Sequence, residues 1–323
     1  MTAWLLRRLA AALAIVFAVV TLCFAVIHLA PGTPFLPGQD RPMDPAVVER
    51  LRSRFGLDQP LPVQYARYLG ALAHGDLGES FSQRRPVADA IAGALPNTLL
   101  LTGTALAIDF LLGVVIGVVQ AARARRRLDM ALTNATLFFY SLPTFWLGLV
   151  LLLVFGQWLH WFPVGGVTDL ILYDSMPLGL RLLDRLRHLA LPALTLGLVG
   201  AAGTARYQRA ALLEALGEDY ARTARAKGLA EPRVLVDHAL RNALLPIVTL
   251  LGVALPFLLT GAVVVETVFT WPGLGKLAAD AIAGRDYPLV IATTLLSSVL
   301  VVLGSLLADL LTAAADPRVR LRA

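Results

Sequence analysis

Cysteine is almost missing from this sequence. Cys23 is the single one in 323 residues; it sits in an apolar run, which leaves neither a disulfide framework nor a cysteine metal site. Charge is scarce as well: 15% of residues are Asp, Glu, Lys or Arg against 57% hydrophobic, and mean hydropathy is +0.71. That is too apolar for an ordinary soluble domain of this length and points to a membrane protein. The histidines, His28, His74, His160, His188 and His238, are scattered. There is no His-Glu-x-x-His, no Gly-x-Ser-x-Gly elbow and no protease-like pair of intramembrane aspartates, so an intramembrane enzyme would lack its nucleophile and base. His74 and Asp76 flank Gly75, which reads as a turn ahead of a Gly-rich loop and not as a metal or catalytic site. Gly273-Leu274-Gly275-Lys276 hints at a phosphate loop, but Leu277 stands where Ser or Thr is needed. The expectation is a chain with no catalytic residue, no metal and no cofactor of its own.

What is there is a series of long apolar runs, at 4–27, 96–122, 130–155, 189–207, 247–268 and 288–311. About 20 apolar residues cross a hydrocarbon core of roughly 30 Å, so the expected fold is an all-α polytopic membrane protein with six transmembrane helices. The first run is read as a retained span: its apolar part is longer than a signal core, and no small-x-small site follows it cleanly. The net charge of +6 and a pI near 9.9 could suggest nucleic acid. The basic residues, however, cluster at span ends, which is their topological use. Of the 28 Lys and Arg, 16 fall on the side of the two termini and 5 in the short loops opposite, so both termini are expected inside. The stretch 31–95 is rich in Pro, Gly and charge, with short helices expected at 45–54 and 63–73. Trp158, Trp161 and Phe162 read as an interfacial aromatic belt, and 169–187 as a polar excursion outside.

The most charged stretch between two apolar runs is 214–246. Arg222, Arg225, Lys227, Arg233 and Arg241 face Glu214, Glu218, Asp219, Glu231 and Asp237 there. Residues 214–227 contain no Pro and read as one helix. Gly228 supplies a C-cap break, since glycine tolerates the left-handed conformation that ends helices. Pro232 suits the first turn of a second helix running towards Asn242. Ala221, Ala224 and Gly228 are expected to leave a shallow face on which a second protein could pack. Elsewhere, Asp109 lies mid-span, where a carboxylate is costly unless it meets water or a partner helix. Pro143 should kink its helix, with Ser141 or Thr144 satisfying the freed carbonyl. Glu266 is expected near the outer end of the fifth span.

Arg222-Thr223-Ala224-Arg225-Ala226-Lys227-Gly228, followed by His238-Ala239-Leu240-Arg241-Asn242-Ala243, resembles the EAA loop of ABC-importer permeases, and more narrowly the first permease subunit of the dipeptide/oligopeptide/nickel family. Arg222 in place of the generic Glu, and Arg241 where Pro is common, are typical of that branch. The resemblance extends through 55–69, 74–81, 85–91 and 95–99, through Ser141-Leu142-Pro143-Thr144-Phe145-Trp146, and through 266–276 with 285–288.

It implies a type I importer fold, with a mainly helical extracytoplasmic insert at 31–95 between a first span at 1–30 and five helices at 96–312, ending in a basic cytoplasmic tail at 313–323. It implies a cell-membrane permease for di- or oligopeptides, without its own nucleotide site. The implied partners are a second homologous permease, two ATP-binding subunits that use ATP and Mg, an extracytoplasmic solute-binding protein and membrane lipid. ATPase coupling would fall to Tyr220, Arg222, Thr223, Ala224, Arg225, Lys227, Gly228, Leu229, His238, Arg241 and Asn242, with Asp109, Ser141, Pro143 and Glu266 as candidates for the translocation path. Relatives carrying nickel chelates, glutathione or oligosaccharides are alternatives within the family. An ion-gradient-driven transporter is the alternative outside it, thinly supported by Asp109 alone and by no internal repeat.

Overall fold

The computed structural model describes residues 2–29, 58–259 and 263–315. The helix expected at 45–54 and the basic tail after residue 315 lie outside these. Among the described residues the chain is helical, with one isolated antiparallel bridge between Glu79 and Pro86. It divides into two compact units, one of residues 1–96 with 276–299 and one of 97–275 with 300–323.

In the first unit, α1 (Thr2–Leu29) contains an apolar stretch at Ala10–Val26. Helix α2 (Leu61–Ala73) starts where Pro60 and Pro62 pre-set the backbone, and it ends at His74 ahead of Gly75 at φ +76. Asp76 accepts the Gly78 N–H at 2.9 Å, so the His74–Gly78 segment is the turn expected from the sequence. Phe24 of α1 packs on Tyr65 and Tyr68 of α2. The unit also holds the start of α3 (Val87–Ala122), which runs unbroken past Pro96.

Asp286 knits the rest of this unit together. It is fully buried and caps the last long helix, accepting the Leu289 N–H. Its Oδ2 also accepts from the Ser80 hydroxyl, the Ser82 hydroxyl at 2.7 Å and the Ser82 N–H at 2.9 Å.

In the second unit, α4 (Arg127–Ser141) follows a tight turn with Arg125 at φ 64. It stops at Pro143, after which α5 (Thr144–Leu151) continues as a π-helix over Leu152–Trp158. The two halves are bent by 102°. The expected kink is thus a sharp break: proline supplies no N–H to continue the ladder, and the Phe139 carbonyl is taken instead by the Leu142 N–H. Ser141 donates to the Leu137 carbonyl at 2.8 Å, so its hydroxyl serves the preceding turn.

Helix α6 spans Leu178–Gly217, 40 residues, with Pro192 inside it. This corrects two sequence expectations. The fourth span is not confined to 189–207, and much of the supposed polar excursion is helix. Arg181, Asp184, Arg185 and His188 recur at three- and four-residue spacing, which puts them along one helix face, and His188 lies 3.3 Å from Asp184. Charge in this stretch belongs to a helix end that holds the preceding loop, with Arg181 donating to the Met176 carbonyl and Asp184 accepting the Asp169 N–H, each at 2.9 Å, where the composition suggested a loop.

Beyond α6 come α7 (Asp219–Ala226), α8 (Glu231–Arg233), a π-helical stretch Val234–Leu240 with a last turn Arg241–Ala243, and α9 (Leu245–Leu259). Then follow α10 (Val263–Val268), α11 (Leu274–Ala283) and α12 (Tyr287–Ala315). Three helices, Val87–Ala122, Leu178–Gly217 and Tyr287–Ala308, are each long and apolar enough to cross a membrane. Two bent pairs, 127–158 and 231–254, also qualify if each counts as one span. Leu111, Val115, Phe138 and Leu153 face outward and exposed, as a hydrocarbon surround requires.

The centre of the second unit is a seam between α3 and α6 in which the backbones nearly touch. A Cβ on Gly113 would lie 2.6 Å from the Thr204 Cβ, one on Gly117 2.6 Å from the Ala205 carbonyl oxygen, and one on Gly197 2.6 Å from the Ile108 Cγ2. Small residues four apart let two membrane helices approach this closely, and their gain is packing rather than solvent exclusion.

Candidate functional site: a charged helix–turn–helix at the end of the seam

The charged stretch 214–245 is built directly onto the end of α6. Contrary to the single helix expected for 214–227, α6 stops at Gly217. Glu218 turns out extended at φ −72, ψ 157, and its carbonyl accepts the N–H groups of Ala221 and Arg222 to start α7. Gly217 weakens the helix there, and a new first turn closes on Glu218.

Helix α7 ends as the sequence predicts. Gly228 sits at φ +81; its N–H bonds the Arg225 carbonyl at 2.9 Å, and the Leu229 N–H bonds the Ala224 carbonyl at 3.3 Å. That is the paired Schellman pattern, with Leu229 turned onto the apolar patch beside it. Nothing lies within 4 Å of where a Gly228 Cβ would stand, so a side chain there meets only backbone strain. Gly228→Val is expected to destabilise the turn by about 1–2 kcal/mol, read as faster amide exchange over residues 224–231 in the purified protein, with unchanged exchange in α3.

Ala221 and Ala224 are buried, but by the chain itself: Val234, Leu216 and Leu229 cover them. This corrects the expected docking face. Two short helices joined by a four-residue turn must approach closely, and alanines permit it. The face left exposed carries Tyr220, Arg222, Thr223 and Lys227. Arg222 pairs with Asp219 at 3.3 Å while both remain mostly exposed, a contact worth little in water.

Arg225 is occupied internally. Its Nε donates to Glu231 at 2.6 Å and its Nη1 to the Leu216 carbonyl at 3.1 Å, tying the end of α6 to the start of α8. On the second arm Ala239 and Ala243 are buried against Leu212, Ala215 and Ala121. Arg241 and Asn242 are exposed and His238 is partly covered, with the Asn242 amide donating to the His238 carbonyl at 3.2 Å.

The path candidates fall in three different places. Asp109 accepts the Thr204 hydroxyl at 2.6 Å and lies directly over Gly200, a tie across the α3–α6 seam. Ser141 and Pro143 form the break between α4 and α5. Glu266 is fully buried and accepts the Thr98 hydroxyl at 2.9 Å. Gly273 and Gly275 come so close to it that a Cβ on either would strike its carboxyl oxygens. A carboxylate therefore fills the concavity of the Gly-Leu-Gly-Lys turn, which argues against a bound phosphate there. The same turn is latched by Asn97 and Trp271: the Trp271 indole donates to the Asn97 carbonyl and the Asn97 amide to the Pro272 carbonyl, each at 3.0 Å.

Sequence reasoning missed one cluster. Asp129, only 3% exposed, accepts two parallel bonds from Arg209 at 2.9 Å each, together with the Arg125 N–H at 2.9 Å. Thr133 lies beside it and accepts the Gln120 amide at 3.2 Å. An aspartate in the first turn of a span directly behind a run of arginines was the available signal. Its partner, 80 residues away, could not be read from that signal. Among the described residues no group of His, Cys, Asp and Glu is arranged to hold a metal ion.

A bundle of apolar helices carrying a charged helix–turn–helix on its longest member is an all-α polytopic membrane protein of the type I permease fold. Residues 113–321 match the family model described as binding-protein-dependent transport system inner membrane component, and residues 1–102 match the N-terminal model of the same membrane component. The chain belongs to this family. It is 41% identical to the oligopeptide transport system permease protein AppB of Bacillus subtilis (strain 168), covering 99% of each chain. It is 43% identical to the di/tripeptide transport system permease protein DppB of Pseudomonas aeruginosa (strain UCBPP-PA14), again over 99% of each. With the glutathione transport system permease protein GsiC of Escherichia coli O6:H1 it shares 39% identity over 98% of each.

Proposed function

We propose that this chain is one of two permease subunits of an ATP-binding-cassette importer for di- and oligopeptides. It lies in a bacterial or archaeal cell membrane with both termini in the cytoplasm. The observation that carries the reading is the 214–245 unit: a self-capped, internally packed pair of short helices, fixed to α6 and presenting an exposed face of mixed charge. Such a unit suits docking on an ATP-binding subunit, with Tyr220, Arg222, Thr223, Lys227, Arg241 and Asn242 available for contact and Ala224, Arg225, Gly228 and Leu229 holding their geometry.

ATP and Mg would be used by two partner subunits, and no residue of this chain would take part in hydrolysis. A second homologous permease would complete the cavity, and an extracytoplasmic binding protein would deliver substrate. ATP-driven closure of the partners would press the paired loops together and tilt the helices behind them, opening the cavity outward; hydrolysis would reset it. This is a two-state rigid-body scheme. The cytoplasmic placement of the loop is supported by the 16-to-5 imbalance of Lys and Arg between the two sides.

The test is copurification from native membrane followed by ATPase assays in liposomes with the binding protein present. The expected result is recovery of a second permease and ATP-binding subunits, with hydrolysis stimulated by di- or tripeptides. Stimulation by glutathione, a nickel chelate or an oligosaccharide alone would replace the peptide assignment. A chain recovered without partners that transports on an ion gradient would overturn the importer reading.

A further inference from the structure

The loop must act on something beyond α6 if pressing it is to reshape a pathway, and the structure contains a specific connection. Along α4 and α6 there are two points of attachment. Near the break, Tyr140 lies against Gly203 and under the Arg206 guanidinium, 5.1 Å from its ring centre. At the other end Arg209 grips Asp129 through Nε and Nη2. Helix α4 is thereby fastened to α6 from its first turn to the residue preceding Ser141, and then the chain turns by 102° at Leu142–Pro143. The loop, in turn, is fixed to α6 within two turns of Arg209, through Leu212, Ala215 and the Leu216 carbonyl.

Apolar packing resists separation but is non-directional, and packed helices undergo small sliding displacements in shear motions. A bidentate guanidinium–carboxylate pair fixes both distance and angle. Asp129 is 3% exposed and the Arg209 side chain 32%, so the pair lies at the solvent edge of the interface and it is its two-point geometry that fixes the register. We propose that Asp129 and Arg209 are positioning residues for transport: they prevent α4 from sliding on α6, so that displacement of the 214–245 unit reaches the Pro143 break and is not dissipated at the helix interface. This rests on the coupling role proposed above for that unit.

The distinguishing variant is Arg209→Lys, which keeps the charge and loses the two-point grip. In the assembled complex, Arg209→Lys and Asp129→Asn are expected to copurify with the ATP-binding subunits at wild-type yield and to hydrolyse ATP at the basal rate. Substrate transported per ATP hydrolysed is expected to fall by about tenfold, within the usual range of coupling between sites. The double exchange Asp129→Arg with Arg209→Asp is expected to recover part of that loss.

Normal coupling in Arg209→Lys would overturn the proposal. So would losses that merely track reduced assembly, because the pair would then serve folding alone. Absence of substrate-stimulated hydrolysis in the unaltered complex would overturn the importer reading itself, and the relay with it.

Discussion

Replacing Gly117 with valine is expected to abolish assembly of the helical bundle, with the protein recovered as aggregate. A Cβ at this position would stand 2.6 Å from the Ala205 carbonyl oxygen and 2.7 Å from the Gln208 Cβ. The first is backbone in the middle of a helix and cannot move aside without dragging α6 with it. The Gln208 side chain is completely buried, so it has no solvent-facing rotamer to adopt. Overpacking a well-filled interface usually costs about 1–3 kcal/mol, and here the steric contact also separates the helices that bring Thr204 to Asp109. Gly103, with nothing within 4 Å of its would-be Cβ, is the matched control. Gly103→Val is expected to express normally. Size-exclusion profiles of the two variants in detergent decide the matter, and a monodisperse Gly117→Val protein would show that the seam opens more readily than its contacts imply.

The second large effect is expected at Asp286. Asp286→Ala removes the acceptor of four hydrogen bonds at once and strands the Ser80 hydroxyl and the Leu289 N–H in a buried setting, while the hydroxyl and N–H of the exposed Ser82 turn to water. At about 1–3 kcal/mol for each of these two buried groups, partial relaxation leaves a loss of about 2–4 kcal/mol. The midpoint of thermal unfolding in detergent is the measurement. Asp286→Asn keeps an acceptor oxygen and the shape, and should lose about half as much. Equal midpoints for Asp286→Ala and the unaltered protein would mean that water reaches these serines and that the cap is dispensable.

Much of this architecture was legible in local signals, and the unread parts share a cause. The Pro143 break depends on the restriction of proline, and the Gly228 cap and the turn at Gly75 on the freedom of glycine to take positive φ, so sequence alone locates them. The apolar runs locate the membrane helices for the same reason: bilayer thickness sets a length, and composition reveals it. The extent of α6 does not follow from composition, because the charges at 181–187 recur at helical spacing and are used within the fold, Arg181 on the Met176 carbonyl and Asp184 on the Asp169 N–H. The docking face on α7 was misassigned because alanines mark close approach without naming the element that approaches. Asp129 with Arg209, and Asp286 with Ser80 and Ser82, are separated by 80 and about 200 residues; no local pattern announces such pairs. The burial of Glu266 was unreadable for a related reason, since its partner Thr98 lies 168 residues away.

The length of α6 has a mechanical meaning. Its 40 residues make a rod of about 60 Å at 1.5 Å per residue, roughly twice the hydrocarbon thickness of a bilayer. A rod pivoting near its centre moves each end by about 5 Å for a tilt of about 10°, given a half-length of about 30 Å. The charged helix pair hangs on one such end, and Pro192 is the only residue along the rod whose ring removes a backbone donor. Small excursions imposed at the loop would therefore appear at the opposite end with similar size and reversed direction. An element of ordinary span length would project much less beyond the bilayer and would move its ends correspondingly less for the same rotation.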